Sequence, residues 1–354
     1  MRVFCYFVEP ALYTLDLASN IYDKNEIDYC FINSNTLVKS DLKTNKFFLD
    51  SLSLISKVRY LISTHRRYDF IVVNGYNNFP FVITFLLNFF SSKKNFIAID
   101  SDTQFSIPAN FIKRFIKWIY LTVVFRNKYI IAFAGGSVSH KDLFRNYGMK
   151  EERIFLMPMM VDNSRFHQKE KIFPDIFTFL YVGRLVKHKN VENLIQQFNL
   201  NFSHKSVVLK IVGSGIEEDY LKKKYSSDKV LFLGKLFNDD LIREFKNSSC
   251  LVIPSKFEPW GLVVNEALSS GLPVISTKEV GANYDLIQSR NTGIIVENMN
   301  DFGDKMLELY NDPNLLIQLS NKATNFMKNN WNYDFYNKCF NDAMKKVEKW
   351  LSKD

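Results

Sequence analysis

Short apolar runs alternate along the chain with longer stretches whose apolar positions recur every three to four residues. Residues 3–8, 70–73, 95–99 and 129–134 are near-continuous apolar runs of strand length. Helical periodicity falls between them, near 50–64, 79–91 and 109–126. The second half repeats the rhythm, with strands at 179–182, 207–212, 230–233, 250–253, 273–276 and 293–296. Its helices are predicted near 190–199, 216–225, 238–247, 262–270, 302–311 and 314–329. Strands that are apolar on both faces are buried on both faces, which is how parallel sheets between helical layers read.

A polar, irregular stretch from Met157-Pro158 to Phe173-Pro174 interrupts the rhythm and predicts a join between domains. The expected division is 1–165, 166–330 and a terminal helix at 331–354. In that last segment Tyr336, Cys339, Phe340, Met344, Val347 and Leu351 recur at helical spacing. The predicted class is α/β, with two Rossmann-like domains whose parallel sheets face across a cleft. Ligands bind such sheets beyond the carboxyl ends of the strands.

Composition narrows the classes. A chain of 354 residues, 47% hydrophobic, is long enough for two packed domains and too apolar to be disordered. The four cysteines, Cys5, Cys30, Cys250 and Cys339, are far apart, which fits neither a zinc site nor a disulfide framework and suits a reducing compartment. Residues 3–8 run into Glu9-Pro10 without a cleavage site, and no window offers ~18 uncharged apolar residues. The chain is therefore expected to be soluble or peripheral. Its net charge of +9 is uneven: residues 1–170 hold 22 Lys and Arg against 15 Asp and Glu, a net of +7. Such an excess suits nucleic acid, an anionic membrane or phosphorylated substrates, or is a solvated surface.

Three strand-to-helix loops of the second half carry candidate chemistry. After the strand at 179–182, Gly183, Arg184 and Lys189 lead to Asn190, a candidate helix N-cap. A planar fork and a flexible point charge in one loop suit a diphosphate. Gly213-Ser214-Gly215 makes a second glycine turn; with Glu218 where a third glycine would stand, it is an incomplete dinucleotide fingerprint. After the strand at 250–253, Pro254 and Ser255 precede Glu258, Trp260, Gly261 and Leu262, and Glu266 follows on the predicted helix. A helix N-terminus offers N–H groups to phosphate, and a carboxylate accepts from sugar hydroxyls.

Taken together, these residues resemble the retaining GT-B glycosyltransferases of family 4, the glycogen-synthase-like glycosyl transferases of group 1. Gly271-Leu272-Pro273 and Gly281 continue the likeness, which covers about 175–300 and extends upstream through Arg145, Gly148 and Arg153 to Asp162 and Phe166. The resemblance implies a GT-B fold whose C-terminal helix returns to the N-terminal, acceptor-binding domain. It implies that Arg184 and Lys189 neutralise the donor diphosphate, that Glu266 holds the ribose, and that Glu258, a catalytic candidate, holds the sugar. Gly183, Gly213 and the backbone at Trp260, Gly261 and Leu262 would line the donor pocket. The implied donor is a nucleotide-diphosphate sugar and the acceptor a glycan or lipid-linked sugar, with no metal or other cofactor and no nucleic acid partner. The implied place is the cytoplasm, on the inner face of the membrane.

The first half departs from that pattern. Val8-Glu9-Pro10-Ala11 stands where many relatives carry glycines, and receives no role. Asp100-Ser101-Asp102 follows a strand where many relatives have a histidine; contact with the donor sugar or acceptor makes Asp100 and Asp102 catalytic candidates. Capping of the next helix is the alternative reading, and metal binding a remote third. His65 is expected in solvent. Residues 111–128 mix aromatics with Lys113, Arg114 and Lys117, as in a helix lying on an anionic membrane or in a buried helix with one basic edge. A catalytically silent sugar-nucleotide-binding scaffold at a membrane is the alternative to an enzyme. A dinucleotide oxidoreductase lacks its full fingerprint.

Overall fold

The computed structural model describes residues 1–34, 47–168 and 170–353. The chain forms two compact units, one of Met1–Met160 with Tyr333–Asp354, the other of Val161–Asn332. The expected boundary at 165/166 thus falls five residues earlier, and the C-terminal helix belongs to the first unit.

In the first unit the chain runs β1 (Val3–Phe7), α1 (Leu12–Leu17), β2 (Asp28–Phe31), α2 (Leu54–Arg67), β3 (Phe70–Asn74), α3 (Phe79–Phe90), β4 (Phe96–Ser101), α4 (Phe111–Arg126), β5 (Ile130–Ala134), α5 (Ser139–Asn146) and β6 (Ile154–Leu156). The strands pair in parallel in the order β2-β1-β3-β4-β5-β6. All five residues of β1 and of β5 are buried, as their unbroken apolar runs require. Asn78 and Asn110 start α3 and α4 by accepting from the backbone N–H of Phe81 and Lys113.

The second unit runs α6 (Asn163–Phe166), β7 (Phe177–Val182), α7 (Val191–Phe202), β8 (Val207–Val212), α8 (Glu218–Tyr225), β9 (Val230–Gly234), α9 (Asn238–Lys246), β10 (Cys250–Ile253), α10 (Leu262–Ser269), β11 (Val274–Thr277), β12 (Gly293–Val296), α11 (Phe302–Asn311) and α12 (Pro313–Asn329). Its parallel sheet is ordered β12-β11-β10-β7-β8-β9. The final helix, α13 (Tyr333–Leu351), packs in the first unit: Phe340 meets Tyr22 and Phe133, and Trp350 stacks on Phe96.

Strand order reverses once in each sheet, between β1 and β3 and between β7 and β10. At such a reversal the loops leaving the two neighbouring strands diverge and open a crevice at the carboxyl edge.

The pattern missed β2, a short edge strand headed by a charge, and β6, which has three residues. His65 is a correction: it is 2% exposed, not in solvent. Its Nε2 lies 3.1 Å from Asn88 Oδ1, and Asn95 Nδ2 donates to the His65 and Tyr68 carbonyls. This buried polar knot ties α2, α3 and the approach to β4, and burial lowers the imidazole pKa. The four cysteines are free thiols, three of them buried.

Candidate donor site and first-unit cavity

The reversal between β7 and β10 carries most of the candidate residues. Leaving β7, Gly183 N–H donates to Val212 O, and Leu185 N–H donates to Ser214 O, so this loop is laced to the turn after β8. Gly213 has φ +141°, and a Cβ there would stand 1.8 Å from Gly183 O. Only glycine fits that close approach of two backbones. Lys256 N–H donates to His188 O, tying the loops after β7 and β10 together across the reversal.

The Lys189 ammonium is paired with the Glu258 carboxylate. Lys189 is buried and Glu258 mostly so, whereas Lys187 and His188 beside them are exposed. Arg184 is exposed at the end of β7, and its carbonyl accepts from the buried Tyr181 hydroxyl at 2.9 Å. The Glu258 carbonyl accepts from Gly281 N–H at 3.0 Å, which fixes the loop ahead of α10. Gly261, with φ +92°, is the N-cap of α10, a backbone that a side chain rarely adopts. The start of α10, the Arg184 guanidinium and the Lys189–Glu258 pair all belong to the same strand-edge loops. A helix start offers N–H groups to an anion, and a guanidinium offers a planar fork of donors.

Glu266 lies one turn into α10, half-buried, and burial pushes its carboxyl up to about 8. Leu262 opens the helix and is partly exposed. Trp260 contributes only its main chain to the loop. Its indole is 1% exposed, donates to Asn265 Oδ1 at 2.8 Å and stacks on Trp331. Asn190 heads α7 but does not cap it. With φ +59° its side chain turns instead to the Pro254 carbonyl.

Asp100 and Asp102 line a cavity of about 380 Å³ in the first unit, at the reversal between β1 and β3. Glu9, Tyr13, Asn74 and Tyr336 also face it. Asn74 Nδ2 donates to Asp100 Oδ2 at 2.5 Å. Burial, and next the Asp102 charge, push the Asp100 carboxyl up to about 7, against that hydrogen bond. The next helix starts at Phe111 with Asn110 as cap, so neither aspartate caps it. The Glu9 loop, given no role from sequence, is part of the cavity wall. Tyr336 reaches it from α13 and left no local signal. Asn74, a polar residue closing an apolar strand, did leave one.

Residues 162–326 match the family described as "Glycosyl transferases group 1". The capsular polysaccharide biosynthesis glycosyltransferase CapM of Staphylococcus aureus is 32% identical over 201 residues, 51% of this chain and 51% of that protein. Glycogen synthase of Mycobacterium tuberculosis H37Rv is 32% identical over 120 residues, 32% of this chain and 29% of its own. The chain spans between about a third and a half of the curated relatives it matches. Among solved structures, Anabaena HepE in complex with UDP-glucose superposes with TM-score 0.73 at 16% identity, covering 100% of both chains. The lipopolysaccharide outer core galactosyltransferase WaaB follows at TM-score 0.72 and 17% identity, covering 98% of this chain and 99% of its own. The fold is GT-B.

Proposed function

From the match of residues 162–326 to the glycosyl transferases of group 1, we propose that the chain transfers a sugar from a nucleotide-diphosphate donor to a glycan or lipid-linked acceptor, with retention of configuration. The observation that carries this is the Lys189–Glu258 pair at the β7/β10 reversal, in the same strand-edge loops as Arg184 and the start of α10. Arg184, Lys189 and the α10 N–H groups take up the charge that develops on the departing diphosphate. Glu266 accepts from the ribose hydroxyls and Glu258 from the sugar, while holding the Lys189 ammonium in place. The transition state is oxocarbenium-like. Lysine and arginine charges perform the neutralisation, so turnover proceeds without a metal cofactor and survives chelation.

The acceptor occupies the first-unit cavity, where Asp100, near its midpoint at neutral pH, exchanges a proton with an incoming hydroxyl. The setting is surface-glycan assembly in the cytoplasm, at the inner face of the membrane. CapM is a capsular polysaccharide enzyme by its name, and HepE was solved with UDP-glucose.

A panel of nucleotide-diphosphate sugars, offered with acceptor extract in EDTA, tests the reading. Consumption of one donor, lost in Arg184→Ala and Glu258→Ala, supports it. Nucleotide binding without turnover for any donor selects the catalytically silent scaffold instead.

A further inference from the structure

The helix α4 is turned inside out relative to an ordinary surface helix. Phe111, Ile112, Phe115, Ile116, Trp118 and Ile119 are 43–68% exposed, and Val123 continues the series. At ~100° per residue these positions share one arc of about 160°, centred roughly opposite the arc of the buried Leu121, Val124 and Phe125. Lys113, Arg114 and Lys117 lie outside the apolar arc and so form the polar side of the first two turns. Soluble proteins rarely leave so large a contiguous apolar surface uncovered.

The charge around it has one sign. No Asp or Glu occurs between Asp102 and Asp142, while Lys113, Arg114, Lys117, Arg126 and Lys128 all do. Two copies meeting through α4 would bring these cations together with no acid to answer them. An anionic lipid surface answers both features at once: acyl chains for the aromatic arc, headgroups for the cations. Among the described residues no helix is long and apolar enough to cross a membrane. We propose that α4 is a docking helix that lies in the interface of an anionic bilayer, its Phe111–Ile119 arc among the acyl chains and the exposed Lys113 and Arg114, which flank that arc, at the headgroups.

The connectivity gives docking a use. Because α4 follows β4, its first turns stand at the sheet edge that also carries Asp100 and Asp102. Lys117 Nζ donates to Ser106 O at 2.9 Å and ties the linking loop to the helix. A membrane-borne acceptor would thus be met beside the first-unit cavity, a step that rests on the acceptor reading above. Docking itself does not.

The test is sedimentation of the full chain with phosphatidylcholine vesicles containing or lacking phosphatidylglycerol, at low and high salt. Trp118 emission is read against Trp118→Phe. Expected are binding to the anionic vesicles alone, weakening with salt, and a blue shift that Trp118→Phe abolishes. Lys113→Gln/Arg114→Gln should weaken binding roughly thirty-fold. Ile112→Ser/Phe115→Ser should abolish it while circular dichroism and nucleotide binding stay unchanged. Equal failure to bind both vesicle types at low salt, an unshifted Trp118 emission, or a concentration-dependent dimer lost in Ile112→Ser/Phe115→Ser would each overturn the proposal. The vesicle result is independent of turnover, so it stands or falls apart from the transferase reading.

Discussion

Lys189 and Glu258, 69 residues apart, form an ion pair with only 10% and 16% of their side chains exposed, bridging the loops after β7 and β10. A charge so nearly withdrawn from water depends on its partner. Lys189→Ala is expected to cost ~1–3 kcal/mol in urea unfolding, because it removes the ammonium paired with a mostly buried carboxylate. Lys189→Ala/Glu258→Ala should cost less than the sum of the single variants, the signature of a coupled pair. In turnover, Lys189→Ala should lose roughly 100- to 1000-fold, the scale of a missing transition-state charge partner.

Gly213 makes a second prediction, purely steric. A Cβ at Gly213 meets Gly183 O at 1.8 Å, whereas one at Gly234, with φ +68°, meets nothing within 4 Å. Gly213→Ala should therefore cost roughly 2–4 kcal/mol, and Gly234→Ala only the left-handed backbone penalty of about 1 kcal/mol. Paired thermal melts would read the difference, and nucleotide affinity should fall in the first variant alone.

Glu266 should make donor binding pH-dependent. Burial holds its carboxyl protonated up to about pH 8, and the acid form keeps acceptor capacity for the ribose hydroxyls but less than the carboxylate. Nucleotide affinity should rise between about pH 6.5 and pH 9, and Glu266→Gln should flatten the profile. Stability should move the opposite way. From the ordinary glutamate pKa of 4.5 up to about 8 the folded state binds more protons than the unfolded, so stability falls as pH rises through that window. Urea midpoints across the range, in the wild type and in Glu266→Gln, would check the sign.

Asp100 offers a pair of opposed shifts. Burial and the Asp102 charge raise its carboxyl pKa, and the Asn74 amide lowers it. Asp102→Asn should therefore move the Asp100 titration to lower pH, and Asn74→Ala to higher pH. Carboxyl chemical shifts followed by NMR would show both. If turnover uses this group, its pH profile should move in the same directions.

Much of the fold was legible because buried parallel strands are apolar on both faces. The run at 207–212 coincides with β8, and 250–253 with β10. β2 was not legible, since Asp28 and Tyr29 at a sheet edge carry no such mark. The candidate loops of the second unit could be located because Arg184, Gly213 and Glu258 each follow a strand end by a few positions. The first-unit cavity could not, because Tyr336 joins Glu9 and Asp100 only through the return of α13. Trp260 shows the remaining limit: its place in the motif was clear, but the inward turn of its side chain depends on Asn265 and Trp331. The exposed arc of α4 was likewise visible as residues, while its direction came from packing.

The central claim is transfer with retention from a donor held by Lys189 and Arg184. Its most direct measurement is proton NMR of the product formed from a consumed nucleotide-diphosphate sugar, following the anomeric coupling from donor to product. The account predicts the donor's own anomeric configuration in the product, and product formation slowed at least roughly 100-fold in Lys189→Ala and Arg184→Ala at comparable protein concentration. An inverted anomer, or product from both variants at the wild-type rate, would contradict it.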